Sequence, residues 1–184
     1  KKEVLHQVDL TLAPGAITCV IGESGSGKST LINLIPRFYD VTEGRVLVDG
    51  VDVREMTQKE VRSRLGYVPQ KGVLFSGTID SNIRYGKTDI SETEVKEAAE
   101  VAQATEFIDA KPEQYASPIA QGGTNVSGGQ KQRLSIARAI AKKPEIFIFD
   151  DSFSALDFKT DSTLRKALKE HTKDATTIIV AQRI

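Results

Sequence analysis

Apolar and polar positions along this chain switch between a period of two and a period near 3.6, and the switches mark its predicted elements. Val8, Leu10 and Leu12 alternate with polar neighbours, predicting a half-buried strand before the Pro14-Gly15 turn. Ile17 to Ile21 is a β-like run, and Leu31, Ile32, Leu34 and Ile35 form a helix-like run that Pro36 ends or kinks. Arg45 to Val53 reads as two short strands around Asp49-Gly50, a favoured pair for a tight hairpin turn. Thr57 and Glu60 have capping-box spacing, which predicts a short helix before a strand over 65–68. From 72 to 143 the pattern turns to helices and loops: Ser91 and Glu94 head a helix whose Val95, Ala98, Ala99 and Ala102 share one core-facing side. Pro112, Pro118 and Gly122-Gly123 punctuate an irregular passage, after which Ser127 and Gln130 head a helix with Leu134, Ala137 and Ala141 on one side. Beyond Pro144, Ile146-Phe147-Ile148-Phe149 is continuously apolar, the signature of a parallel strand buried on both faces. Asp157 is placed to cap a helix carrying Leu164, Ala167, Leu168 and His171, and 176–181 is a final strand. The sum is an α/β chain: a mainly parallel sheet, an antiparallel β-lobe, and a helical subdomain inserted at 72–143 into a core of 1–71 and 144–184, all within one domain over 1–184.

Composition narrows this picture in three ways. A chain of 184 residues with 39% hydrophobic content is the size of one domain and has enough apolar material for an ordinary core. Twenty-five basic residues balance twenty-five acidic ones, so the charge disfavours a nucleic-acid partner and a polybasic membrane anchor. Cys19, alone, cannot form an internal disulfide; it reads as a small buried hydrophobe and agrees with a reducing, cytosolic setting. No run approaches the roughly 18 apolar residues of a membrane span, and no signal peptide opens the chain. The chain begins inside a charged segment and stops after a strand, so it reads as a piece of a longer protein. His6 reads as a strand residue and His171 as a surface residue, neither with a part in chemistry.

Candidate chemistry sits at the ends of the predicted strands. Gly22-Glu23-Ser24-Gly25-Ser26-Gly27-Lys28-Ser29-Thr30 matches the pattern glycine, four residues, Gly-Lys-Ser, between a strand and a helix. The glycines let successive N–H groups turn inward and the helix start adds partial positive charge, so the loop suits an anion. In such a P-loop, Lys28 reaches the β- and γ-phosphates and the Ser29 hydroxyl ligates Mg²⁺. Gln70, at the carboxyl end of the 65–68 strand, can offer Mg²⁺ its amide oxygen, although a lone glutamine in a surface loop is the commoner case. Gly128 and Gly129 inside the helix headed by Ser127 cost about 1 kcal/mol each relative to alanine; close approach of an anion to bare N–H groups explains them, and simple capping is the plainer alternative. Asp150 and Asp151 stand where ligands gather in an open α/β sheet, so one can hold the Mg²⁺ shell while the other faces the attacking water. Gln182 and Arg183 are delivered to the same edge by the last strand.

Taken in order, the P-loop, Tyr67-Val68-Pro69-Gln70, Ser127-Gly128-Gly129-Gln130, the strand ending in Asp150-Asp151, and Ser154-Ala155-Leu156-Asp157 closely resemble the ATP-binding domain of ABC transporters. Leu74-Phe75-Ser76-Gly77-Thr78-Ile79 with Asn82-Ile83 resembles the exporter branch, whose subunits fuse this domain to membrane helices. The resemblance implies MgATP as ligand and a head-to-tail dimer with a homologous domain, with ATP between one P-loop and the other chain's Ser-Gly-Gly-Gln helix. It also implies contact with a transmembrane domain through the segment after Gln70, near Gln121-Gly122-Gly123, at the cytoplasmic face of the cell membrane, and an adenine-stacking aromatic upstream of Lys1.

Two positions depart from the family pattern. Asp151 stands where the family usually has the glutamate general base, and Gln182 where it usually has a switch histidine. Aspartate is one methylene short of the water, and glutamine can donate to a γ-phosphate without becoming a cation. Both losses fall on this chain's own catalytic positions while Ser127 to Gln130 are intact, which resembles the degenerate half of a heterodimeric exporter. A soluble ABC ATPase of translation or DNA repair shares these site motifs; the exporter-like 75–83 stretch and the neutral charge argue against it. A module that holds ATP without turnover is the remaining alternative.

Overall fold

The computed structural model describes residues 3–182. Four parallel strands, β1 (Ile17–Ile21), β4 (Leu65–Val68), β7 (Ile146–Asp150) and β8 (Thr176–Ala181), form one sheet in the order β1-β8-β7-β4. Between β1 and β4 lie α1 (Lys28–Asn33), the antiparallel pair β2 (Leu47–Val48) and β3 (Val51–Asp52), and α2 (Gln58–Ser63). The β2–β3 turn places Asp49 at φ 50° and Gly50 at φ 78°, the doubly positive turn that suits the twist of a two-residue hairpin. Between β4 and β7 come β5 (Gly77–Thr78), α3 (Ile79–Ile83), α4 (Glu92–Val101), α5 (Thr105–Asp109), β6 (Pro118–Ile119) and α6 (Gly128–Ala141); α7 (Phe158–His171) links β7 to β8.

The capping boxes form as the spacing predicts at Thr57/Glu60, Ser91/Glu94 and Ser127/Gln130, and Asp157 caps α7 through the Thr160 N–H. Continuous apolarity in β7 resolves into two faces. Phe147 and Phe149, parallel rings 5.8 Å apart, join Val68 and the apolar sides of α3, α4, α6 and α7 in the largest core cluster. Ile148 points the other way, toward Ile32 of α1 and Ile178 and Val180 of β8. A strand buried on both faces must be apolar at every position, and each fully buried Phe or Ile contributes about 1.5–3 kcal/mol.

Three expectations near the N-terminus are corrected. Residues 8–12 form no strand: Val8 and Leu10 are exposed, Leu12 alone packs on the Ile32 cluster, and no described segment offers the stretch a ladder. An alternating pattern supplies a face to bury but not a hydrogen-bonding partner. Cys19 is exposed because the face of β1 that carries Ile17, Cys19 and Ile21 is uncovered in this chain. His6 lies in irregular backbone beside Glu3, its Nδ1 3.2 Å from that carboxylate, and not in a strand.

Candidate functional site

Parallel register carries four strand ends to one edge. Ile21 pairs with Ala181, Val180 with Asp150, and Phe149 with Val68, so the 22–27 loop, Gln182, Asp150-Asp151 and Pro69-Gln70 leave the sheet side by side. Arg183, expected at the same edge, lies outside the described residues.

The loop that follows β1 turns through Gly25 and Gly27, at φ 81° and 97°, a region closed to most side chains. A Cβ on Gly22 would lie 3.0 Å from Ser26 Oγ and 3.7 Å from Lys28 Cδ, so a side chain there would press on Ser26 at the inner wall of the loop. Lys28 Nζ donates to the carbonyls of Gly22 at 2.5 Å and Glu23 at 2.6 Å and lies 3.3 Å from Ser26 Oγ. An ammonium held among neutral carbonyls at a loop mouth is available to a charged phosphate oxygen, which forms the stronger, charge-assisted bond.

Across the edge, Ser29 Oγ donates to Asp150 Oδ1 at 3.3 Å. The Tyr67 hydroxyl lies 3.0 Å from Asn33 Oδ1 and 3.4 Å from Asp150 Oδ2, with Phe38 edge-on to its ring at 5.4 Å. Burial, reinforced by the Asp150 charge, drives the Tyr67 pKa far up, so the phenol stays a neutral donor. Gln70 Nε2 donates to Asp151 Oδ2 at 3.1 Å. Asp151 itself occupies the left-handed region at φ 49°, fixed by its N–H on the Val180 carbonyl at 2.8 Å. Such a backbone outlier at a strand end is held by its surroundings and clusters at functional sites. Partial burial raises the Asp151 pKa, Asp150 adds to the shift and Lys28 opposes it. Ser152, fully buried, ties the same turn to β4 by donating to the Val68 carbonyl at 2.6 Å.

The hydroxyl of Ser29, the amide of Gln70 and the carboxylate of Asp150 are the hard oxygen donors that Mg²⁺ takes, and few are needed because this ion keeps water and phosphate oxygens in its octahedron. No group of three or more His, Cys, Asp or Glu able to hold a metal occurs among the described residues. The donor set and the glycine-lined cradle fit a magnesium nucleotide.

The predicted residues thus divide. Lys28, Ser29, Gln70, Asp150 and Asp151 meet at one edge, and Gln182 follows the last residue of β8 there, exposed. Ser127, Gly128, Gly129 and Gln130 stand apart: their capping box closes on itself at 3.1 and 3.2 Å, and a Cβ on Gly129 would lie 3.5 Å from the Ala155 carbonyl oxygen. Among the described residues this helix start makes no hydrogen bond to 22–30. Sequence reasoning missed Asn33, Tyr67 as a contact of Asp150, and Ser152. A polar residue inside the apolar 31–35 run was the available signal for Asn33; for Ser152 there was none, since only packing shows that it is buried.

Comparison with known proteins agrees with this geometry. Residues 5–154 match the ABC transporter family. An uncharacterized ABC transporter ATP-binding protein of Mycobacterium tuberculosis is 50% identical over 184 residues, covering 98% of this chain and 31% of that protein. A putative multidrug export ATP-binding/permease protein of Bacillus subtilis is 46% identical, over 100% of this chain and 32% of its own length. The solved structure of a bacterial Atm1-family ABC exporter with ATP bound superposes with a TM-score of 0.94 at 42% identity, over 98% of this chain and 32% of the exporter. The chain spans about a third of the length of these relatives. With a P-loop α/β sheet, the site motifs in order and a family match over most of its length, the chain belongs to the ABC transporter family.

Proposed function

We propose that this chain binds MgATP and, paired head to tail with a homologous domain, couples ATP binding and hydrolysis to export of a substrate across the cell membrane, on whose cytoplasmic face it sits. The observation that carries this reading is the single sheet edge at which Lys28, Ser29, Gln70, Asp150 and Asp151 converge. In it, residues 22–30 hold the phosphates, Ser29, Gln70 and Asp150 hold Mg²⁺, and Ser127 to Gln130 serve the γ-phosphate on the partner's P-loop. The whole of 1–184 acts as one ATP-binding domain, with 72–143 as a helical insertion. A transmembrane domain docks on the segment after Gln70, where Val73 is half exposed and Phe75 and Tyr85 stack at 4.3 Å with both rings partly in solvent. The exporter names of the relatives, and the ATP in the matched exporter, support the ligand and the coupling to transport.

The partner is a heteromeric one in this proposal, and the chain's own site hydrolyses slowly. Asp151 and Gln182 are its weakened catalytic positions. Support comes from the contact that Asp151 does make: its carboxylate accepts from Gln70 at 3.1 Å, from a backbone in the left-handed region. Among the described residues no helix is long and apolar enough to cross a membrane, so transport requires a membrane part supplied elsewhere.

Lys28→Ala in the full-length protein tests the ligand. Wild-type protein gains thermal stability with MgATP because a ligand of the native state stabilises it by mass action, and the variant loses most of that gain. An equal MgATP shift in wild type and variant would refute the assignment.

A further inference from the structure

Helix α6 runs beneath residues 69–73, the segment that carries Gln70, and holds it at three successive turns. Gln132, 1% exposed, donates from Nε2 to the Pro69 carbonyl at 2.9 Å. Beside it, a Cβ on Gly72 would lie 2.8 Å from the Lys131 carbonyl oxygen and, one turn on, 2.7 Å from Ser135 Oγ, so the segment's backbone rests directly on the helix. A further turn on, Arg138 donates from Nη1 to the Val73 carbonyl at 2.8 Å, from Nε to the Asn82 carbonyl at 2.8 Å and from Nη2 to Asn82 Oδ1 at 2.9 Å. Asn82, also buried, closes on Phe75 by accepting its N–H at 2.8 Å and donating to its carbonyl at 2.8 Å.

Gln132 is the informative member of this set. Its Oε1 is buried and has no hydrogen-bond partner among the described residues. A buried orphan acceptor destabilises a fold, and an apolar side chain of the same length would fill this space without one. Core packing alone therefore does not account for glutamine here; the bond to the Pro69 carbonyl does.

We propose that Gln132 is a positioning residue for Gln70. With Gly72 and Arg138 it makes residues 69–73 part of α6, so that Gln70 on this chain's phosphate edge and the Ser127 helix start move as one body. A shift at either end is then felt at the other, because the contacts between them are packed and hydrogen-bonded at every turn. The inference rests on the nucleotide reading above, and it adds residues that touch neither nucleotide nor metal.

The test uses the full-length protein assembled with its partner, the partner's P-loop site inactivated so that turnover reads this chain's own site, with MgATP as the varied substrate. Gln132→Met keeps the unbranched length and exchanges the orphan Oε1 for a Pro69 carbonyl that loses its donor, one unpaired acceptor for another. The expected result is an unfolding temperature no lower than wild type, a KM for MgATP close to wild type, and a kcat lower by about tenfold, inside the roughly 2- to 30-fold that such couplings carry. Gln70→Ala combined with Gln132→Met is no slower than Gln70→Ala alone, because one residue acts through the other. An unchanged kcat in Gln132→Met, losses that multiply in the double variant, or a loss that follows a lowered unfolding temperature would each overturn the proposal. If Gln132→Met does not assemble, Arg138→Lys keeps the charge and drops the forked contacts; it takes the place of Gln132→Met in the cycle with Gln70→Ala, where a lowered kcat that does not multiply supports the proposal and an unchanged or multiplying one overturns it. A wild-type rate no higher than that of Lys28→Ala overturns the nucleotide reading and this inference together.

Discussion

Restoring the family's usual glutamate, Asp151→Glu, separates reach from every other defect proposed for this site. The change adds one C–C bond, about 1.5 Å, to a side chain whose Oδ2 lies 3.1 Å from the Gln70 amide. A well-placed general base is worth on the order of 10²–10⁴ in rate, or about 2.7–5.4 kcal/mol, so that is the recovery expected if reach were the sole fault. Three features oppose it. Residue 151 is held at φ 49°, where Asp is better tolerated than Glu, so part of the gained length is spent on a less favourable backbone. Gln70 already engages the carboxylate and must release it for a water to enter. Gln182, exposed after β8, cannot become a cation to hold the γ-phosphate and water in line. Charge on that phosphate also needs helix-start donors from the partner chain, and we propose that in a heteromeric partner this helix start is disturbed. We therefore expect Asp151→Glu alone to change turnover less than about threefold, roughly 0.65 kcal/mol. Adding Gln182→His gives a slight gain, and repair of the partner's helix start gives the substantial one. The assay is single-turnover hydrolysis at this site with the other site inactivated. Recovery of about 100-fold or more from Asp151→Glu alone would refute the reasoning.

Ser127→Arg is expected to abolish hydrolysis in the assembled protein while leaving ATP binding at this chain's own P-loop intact, since the helix start makes no bond to residues 22–30; retained turnover would sink the composite-site proposal. Gly66→Ala in β4 puts a Cβ 2.7 Å from Pro144 Cγ and 3.3 Å from Phe147 Cδ1, an overpacking expected to destabilise the domain by about 1–3 kcal/mol. Thermal unfolding of the assembled protein reads it, and an unfolding temperature equal to wild type would show that Pro144 and Phe147 yield more easily than their packing against β4 implies.

Much of the site was legible because its chemistry is local. A strand, Gly-rich turn and helix in succession need no distant partner to be recognised, and the capping boxes at Thr57, Ser91 and Ser127 depend on residues three apart. Asp157 was readable as the α7 cap for the same reason, which freed Asp150-Asp151 for another role. The N-terminal misreadings have the opposite origin. Val8, Leu10 and Leu12 alternate as a strand should, yet a strand is made by its neighbours, and burial of Cys19 depended on a layer covering its face of β1 that this chain does not supply.

By itself the sequence determined the order of the elements that build the sheet and cap the long helices beyond residue 16, the P-loop, and the residue types waiting at each strand end, because periodicity and turn chemistry act over a few residues. It also determined the two departures, Asp151 and Gln182, since those are matters of identity. Only the tertiary structure decided that Ser29 meets Asp150, that Gln70 meets Asp151, and that Tyr67 leans on the same carboxylate. It alone joined Gln132 and Arg138 to the backbone on either side of Gln70. Those contacts span many tens of residues and exist because parallel register aligns β1, β8, β7 and β4 and α6 packs against β4; no local rule encodes which strands become neighbours, so only the folded sheet supplies that information.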